Sequence, residues 1–202
     1  NISVQTVSLI AILTLIMCIF LTSKLNQMAS DIVYFLILPI IITYTPVFKS
    51  LPFIGNILIG VTLGFVFLFT EASLLGQLEI LWIPAFLAAH LTVLRELLKD
   101  IEDHDGDCKV GINTFPVCFG INYSLKLFLL LTILLLGWAG FLPFFMELNP
   151  NYTISFWGLF SPWIFYIVYL LFWIKSENYA KISALLKIAT ICGLGVIATL
   201  GL

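Results

Sequence analysis

The chain has 202 residues, 61% of them hydrophobic and 10% charged, with a mean hydropathy of +1.14 and a net charge of −2. Soluble domains carry about 25% charged residues, so a water-soluble globular protein is excluded and helices sharing a bilayer are expected. No basic face with interleaved aromatics is present, which excludes a nucleic-acid partner.

In chain order, seven apolar stretches approach the ~20 residues that cross the hydrocarbon core. They cover roughly 4–22, 31–47, 53–70, 78–99, 121–145, 154–174 and 184–202. The expected fold class is all-α, a polytopic transmembrane helical bundle forming one domain over 1–202. The second and third stretches contain Pro39, Pro46, Gly55, Gly60 and Gly64, residues that kink a helix or let a neighbour approach. Gly60 and Gly64 have small-xxx-small spacing, and Gly137 and Gly140 nearly so; helix packing explains them. Glu71–Gln77 and Met146–Thr153 are expected as short connections. The first residue is Asn and no signal peptide is evident, so the chain is expected to be the later part of a longer protein. Of the four cysteines, Cys18 and Cys192 fall in apolar runs as packing residues, while Cys108 and Cys118 lack a zinc-spaced His partner.

Between the fourth and fifth stretches lies an unusual segment, 95–120. It holds six of the eleven acidic residues: Glu96, Asp100, Glu102, Asp103, Asp105 and Asp107. Acids at the end of a membrane helix are costly and serve an ion or a substrate. Asp100, Asp103 and Asp107 are spaced i, i+3, i+7, which a continuous helix brings to one face. Like charges so placed repel, and a divalent cation relieves that. Hard oxygen donors without His or Cys suit magnesium, which keeps waters and bridges to phosphate oxygens. A solvated, charged membrane loop is the plainer alternative. The loop 100–120 carries Gly106, Gly111, Pro116 and Gly120 and is expected to act as a cap over the site, helped by the polar connection Lys175–Lys187.

Alternating seven spans places Lys49, Arg95, Lys99, Lys109, Lys126, Lys175, Lys181 and Lys187 on the side of the acidic segment and Lys24 alone on the other. By the positive-inside rule that side is cytoplasmic. A carboxylate cluster at the cytoplasmic mouth of an apolar bundle suits a lipid diphosphate: the metal grips the diphosphate and offsets its developing charge, while the bundle buries the tail. Arg95, Lys99, Lys109 and Lys49 could add charge stabilisation. Each could equally be a solvated lysine or arginine at the membrane interface.

The run Arg95-x-x-x-Lys99-Asp100-x-x-Asp103-x-x-Gly106-Asp107-x-x-x-Gly111-x-x-Thr114-x-Pro116-x-x-x-Gly120 resembles the second aspartate-rich motif of the UbiA family of intramembrane prenyltransferases. Its wording is most similar to the branch that makes digeranylgeranylglyceryl phosphate. The resemblance implies a nine-helix fold of which these seven spans match helices three to nine. The opening Asn-Ile-Ser-Val-Gln-Thr resembles the segment following the family's first motif, which is missing here, so this chain alone is expected to be inactive. By position, Asp100, Asp103 and Asp107 would be metal and diphosphate carboxylates, with Arg95 and Lys99 as basic partners. Tyr44 and Lys49, in Tyr-Thr-Pro-Val-Phe-Lys, and Asn56, in Ile-Gly-Asn, would contact the diphosphate; Tyr44 also reads as an interfacial aromatic. Glu102 and Asp105 point elsewhere, and His104 is not expected to transfer protons. The implied reaction is magnesium-dependent transfer of a polyprenyl group from an allylic diphosphate, geranylgeranyl diphosphate, to a lipophilic acceptor, geranylgeranylglyceryl phosphate, within membrane lipid.

Alternatives remain open at the level of sequence. They are an aromatic, quinone or chlorophyll-type acceptor on the same fold, a transporter, and a degenerate lipid-binding relative. A transporter would need polar residues near mid-span, where His90 stands. An EF-hand starting at Asp103 fails, because its sixth and twelfth positions are Cys108 and Thr114.

Overall fold

The computed structural model describes residues 3–49 and 51–200. Asn1 and Ile2 of the opening segment, Ser50 of the first expected cytoplasmic connection, and residues 201–202 of the expected seventh span lie outside the described residues. The described residues are helical throughout, with no strand. The elements are α1 (Val4–Thr22), α2 (Gln27–Phe48), α3 (Ile54–Leu75), α4 (Trp82–Glu102), two short helices α5 (His104–Val110) and α6 (Phe115–Phe119), then α7 (Ile121–Phe145), α8 (Pro150–Phe172) and α9 (Tyr179–Ala198).

Short polar side chains set the starts of these helices. Ser3, Asn26 and Asn178 each accept a hydrogen bond from a backbone N–H three residues on (Thr6, Ala29 and Lys181), satisfying donors a helix leaves unpaired. α2 is not uniform: π turns occupy Ile32–Ile37 and Tyr44–Phe48, and a third occupies Phe156–Phe160 in α8. Pro39 and Pro46 both lie in α2, each removing a backbone donor.

Six helices are long and apolar enough to cross a membrane: α1, α2, α3, α7, α8 and α9. The protein is an integral membrane protein. The seventh expected span, 78–99, falls on α4, whose closing turns carry Arg95, Glu96, Lys99, Asp100 and Glu102. That charge keeps it out of the set chosen on length and apolarity. α4 is instead the hub, packing against α3, α7 and α9. Its Leu94, Leu97 and Leu98 are fully buried and join Phe128 and Leu135 of α7, Ile167 of α8 and Leu186 of α9 in one core. α1 stands at the other extreme. From Val4 to Leu21 every residue but the half-buried Cys18 is exposed. Its end is tied to α2 by Tyr34 Oη, which donates to the Ile19 carbonyl at 2.9 Å, and by Ser30 Oγ, which donates to the Thr22 carbonyl at 2.9 Å.

The α3–α4 pair is the tightest contact. A Cβ on Gly60 would stand 2.6 Å from the Ala89 carbonyl oxygen, and one on Gly64 2.9 Å from that of Ala85. The small-xxx-small pair therefore brings backbone to backbone. Gly140 is crowded by the Trp157 ring at 2.5 Å, whereas Gly137 opens onto free space, so the second pair works by one member only.

Glu71 departs from expectation. It lies inside α3, not in a connection, and is 2% exposed. Its carboxylate accepts from the backbone N–H of Ile80 at 2.8 Å and of Leu81 at 3.2 Å, just ahead of α4. In a bilayer those donors have no water to turn to, so a buried carboxylate takes its place. At mid-span, Trp138 Nε1 donates to His90 Nδ1 at 3.2 Å, which leaves the ring proton on Nε2 to bond the Leu131 carbonyl at 2.9 Å. His90 thus joins α4 to α7 and is engaged in packing, not in lining a path.

Replacing Gly60 with Val would force α3 away from α4. Overpacking of this kind costs about 1–3 kcal/mol, so thermal unfolding in detergent should show a clear fall in Tm, while Gly137→Ala should leave Tm almost unchanged.

Candidate functional site

The site forms where α4 leaves the apolar layer. Asp100 follows directly on the apolar span that ends at residue 99 and is half-buried. Asn56, in the first turn of α3, is only 7% exposed and donates from Nδ2 to Asp100 Oδ2 at 2.7 Å. The contact exists because α3 and α4 run antiparallel at glycine-permitted distance, which sets the start of one beside the end of the other. Burial pushes the Asp100 carboxyl up to about 6; the Asn56 amide and Lys99 oppose this, and the charges of Asp107 and Glu96 add to it.

One turn back, Arg95 Nη1 pairs with Glu96 Oε1 at 2.7 Å. Arg95 also lines a cavity of about 520 Å³ between α2, α3 and α4, shared with Tyr44, Thr45 and Thr62 and walled by Ile40, Ile41, Leu58 and Ile59. Tyr44 lies within electrostatic reach of Glu96 and Asp100. A second cavity of about 310 Å³ continues inward between α3, α4, α8 and α9 and is almost wholly apolar, with Phe67, Leu87, Phe156 and Phe160 in its wall.

The expected single helical face through Asp100, Asp103 and Asp107 is interrupted. α4 ends at Glu102, Asp103 takes φ −87° and ψ 0°, and α5 restarts at His104. Asp100 and Asp107 interact electrostatically across this bend, while Asp103 is exposed. Among the described residues no three His, Cys, Asp or Glu side chains gather into a group that could hold a metal. Two carboxylates suffice for magnesium bound partly through substrate phosphates, and Asp100 with Asp107 offers that donor set.

Lys49, Lys99 and Lys109 are all exposed. The structure therefore brings together Tyr44, Asn56, Arg95, Asp100 and Asp107, and leaves Asp103 and the three lysines at the rim. The segment 100–120 is more ordered than a loop: α5 and α6 fill it, with Gly111 at φ +74° and Gly120 at φ +87° closing them. His104 Nδ1 meets the exposed Asp105 at 3.1 Å. The polar connection near Lys175 is shorter than expected, because α9 starts at Tyr179 and takes in Lys181 and Lys187.

Two residues beyond the sequence candidates matter here. Glu96 holds the Arg95 guanidinium; its position next to Arg95 was the available signal. Phe53 sits at φ +66°, a left-handed conformation rare for a bulky side chain, and its ring meets Phe115 edge-on at 5.8 Å. It joins the turn ahead of Asn56 to the cap helix α6. Nothing in the sequence marks a phenylalanine for that backbone conformation.

Comparison with protein families matches residues 1–191 to the UbiA prenyltransferase family. The chain belongs to that family. Among curated relatives, digeranylgeranylglyceryl phosphate synthase of Saccharolobus solfataricus is 32% identical over 201 residues, 96% of this chain and 68% of that protein. The enzyme of the same name from Natronomonas pharaonis is 41% identical over 85 residues, 42% of this chain and 31% of that one. That from Methanobrevibacter smithii is 34% identical over 127 residues, 62% and 42% respectively. The chain thus spans less than half the length of the latter two. No solved structure matches it. In this UbiA-family chain the second aspartate-rich segment stands at the mouth of a cavity between α2, α3 and α4, with its central carboxylate held by an asparagine from α3.

Removing the asparagine amide should loosen Asp100. Outer-sphere partners of this kind are worth about 10–100-fold in activity or metal affinity. Asn56→Ala in the full-length protein should lower kcat/KM for prenyl transfer by about tenfold with little change in Tm.

Proposed function

We propose that the full-length protein transfers a polyprenyl group from an allylic diphosphate to a lipophilic acceptor in the membrane, with geranylgeranyl diphosphate as donor and geranylgeranylglyceryl phosphate as acceptor. The observation that carries this reading is the buried Asp100, held by Asn56 at the mouth of a cavity that Arg95 and Tyr44 line and that continues into apolar space. Such a shape suits a ligand charged at one end and hydrocarbon at the other. The relatives' shared name, digeranylgeranylglyceryl phosphate synthase, supports the choice of acceptor.

In this scheme Asp100, Asp103 and Asp107 hold magnesium, which would supply charge neutralisation at the diphosphate. Asn56 keeps Asp100 oriented toward the cavity. Arg95, steadied by Glu96, and Tyr44 face the diphosphate oxygens; Lys49, Lys99 and Lys109 at the rim draw the anion in. The allylic carbon–oxygen bond breaks with its electron pair leaving on the diphosphate. The acceptor hydroxyl oxygen then bonds the allylic carbon and gives up its proton. The apolar wall keeps water from competing for the cation. Eight of nine basic residues on one side of the expected seven-span topology place the site on the cytoplasmic face, within reach of soluble magnesium and water-soluble diphosphates. The cap 100–120, anchored by Phe115 on Phe53, closes over it.

The test is direct. Full-length protein in lipid vesicles, given geranylgeranyl diphosphate, geranylgeranylglyceryl phosphate and magnesium, should yield the diether and free diphosphate, and a chelator should stop the reaction. Changing both Asp100 and Asp103 to Ala should remove detectable turnover; near-normal activity in the double variant would refute the site. Product from a quinone or aromatic acceptor, and none from the glyceryl phosphate, would shift the acceptor class while leaving the donor site in place.

A further inference from the structure

Two cavities meet at three residues. Leu63 and Val66 of α3 and Thr92 of α4 line both the outer cavity that holds Arg95 and Tyr44 and the inner apolar cavity. Thr92 lies eight residues before Asp100 on α4, about 12 Å along a helix axis. It is 8% exposed, and its position is fixed from behind by the fully buried Leu94. The outer cavity has hydroxyls from Tyr44, Thr45 and Thr62 among its lining groups; past the three shared residues the wall turns to Phe67, Leu87, Phe156 and Phe160. The change from mixed to wholly apolar lining therefore falls at the shared residues.

We infer that Leu63, Val66 and Thr92 form a waist that meters the isoprenoid tail. This inference rests on the proposed prenyl-transfer reading. The isoprene units nearest the diphosphate occupy the outer cavity, and the distal units of a long donor thread between the three side chains into the inner cavity. Donor length is then set by the bore at the waist and the depth beyond it. A tail too short to reach the waist leaves the inner cavity unfilled and forgoes its burial. A long tail gains that burial only if the waist lets it through.

Gly193 of α9 gives an independent handle on the inner cavity. It lines that space, and a Cβ there would meet Leu91 at 3.5 Å and Phe160 at 3.6 Å, ordinary contact distances. A larger residue can therefore project into the inner cavity without moving backbone.

The experiment compares full-length wild type, Thr92→Phe and Gly193→Leu with geranyl, farnesyl and geranylgeranyl diphosphates against one acceptor. The ratio of kcat/KM for the twenty-carbon donor to that for the ten-carbon donor is expected to fall at least about tenfold in both variants, the size of effect one blocked apolar subsite produces. An unchanged ratio in Gly193→Leu, or a loss equal for all three donors in both variants, overturns the waist. Wild type that transfers no prenyl group from any of the three donors would instead overturn the reading on which it rests, so the two failures are separable.

Discussion

Everything at the site hangs on the close packing of α3 against α4. In a bilayer, apolar side chains gain little by leaving lipid for one another, so helix pairs are held by intimate contact and by polar groups that cannot find water. This pair uses both at three levels. At one end the Glu71 carboxylate takes the backbone donors ahead of α4. In the middle Gly60 and Gly64 let α4 carbonyls approach to distances no Cβ would allow. At the other end Asn56 reaches Asp100. A longer side chain at either glycine would separate the last pair as surely as replacing one of its members.

The charge on α4 and its central place in the bundle explain each other. Hydrophobic burial through Leu94, Leu97 and Leu98 anchors the helix on α7 and α9, and the charged turns emerge on the side left open toward α2 and α3. A helix so charged cannot face lipid there. Surrounding it with neighbours on its apolar side and a cavity on its polar side resolves the conflict. The Arg95–Glu96 pair at the cavity edge leaves less net charge to desolvate than either residue alone would.

Much of this was legible in the residues. The apolar runs marked every long helix, because in hydrocarbon the backbone has few other ways to satisfy its donors and acceptors. The acidic run and the Gly60–Gly64 spacing marked the site and the tight packing. Helix ends were less legible, since caps such as Asn26 and Asn178 act over a few residues that hydropathy averages away. The break at Asp103 escaped the i, i+3, i+7 pattern because that pattern assumes a continuous helix, and a short acidic side chain tolerates either state. Glu71 looked like a connection residue because its acceptors' partners, the N–H groups of Ile80 and Leu81, are defined only once α4 has docked. The Asn56–Asp100 bond joins residues 44 positions apart, and only the antiparallel pair makes them neighbours.

The π turns of α2 and α8 carry a consequence for how this chain can tolerate change in length. A π turn holds one residue more than the α-helical turn it replaces. Deleting one residue within Tyr44–Phe48 would restore ordinary helical pitch and rotate whatever follows by about 100° relative to what precedes. The span would survive, yet Tyr44 and Lys49 would no longer face the same quarter of the bundle. Single-residue gaps between relatives are thus tolerable to the membrane at these three turns, and the one beside the cavity is where such a gap would alter what the protein can hold.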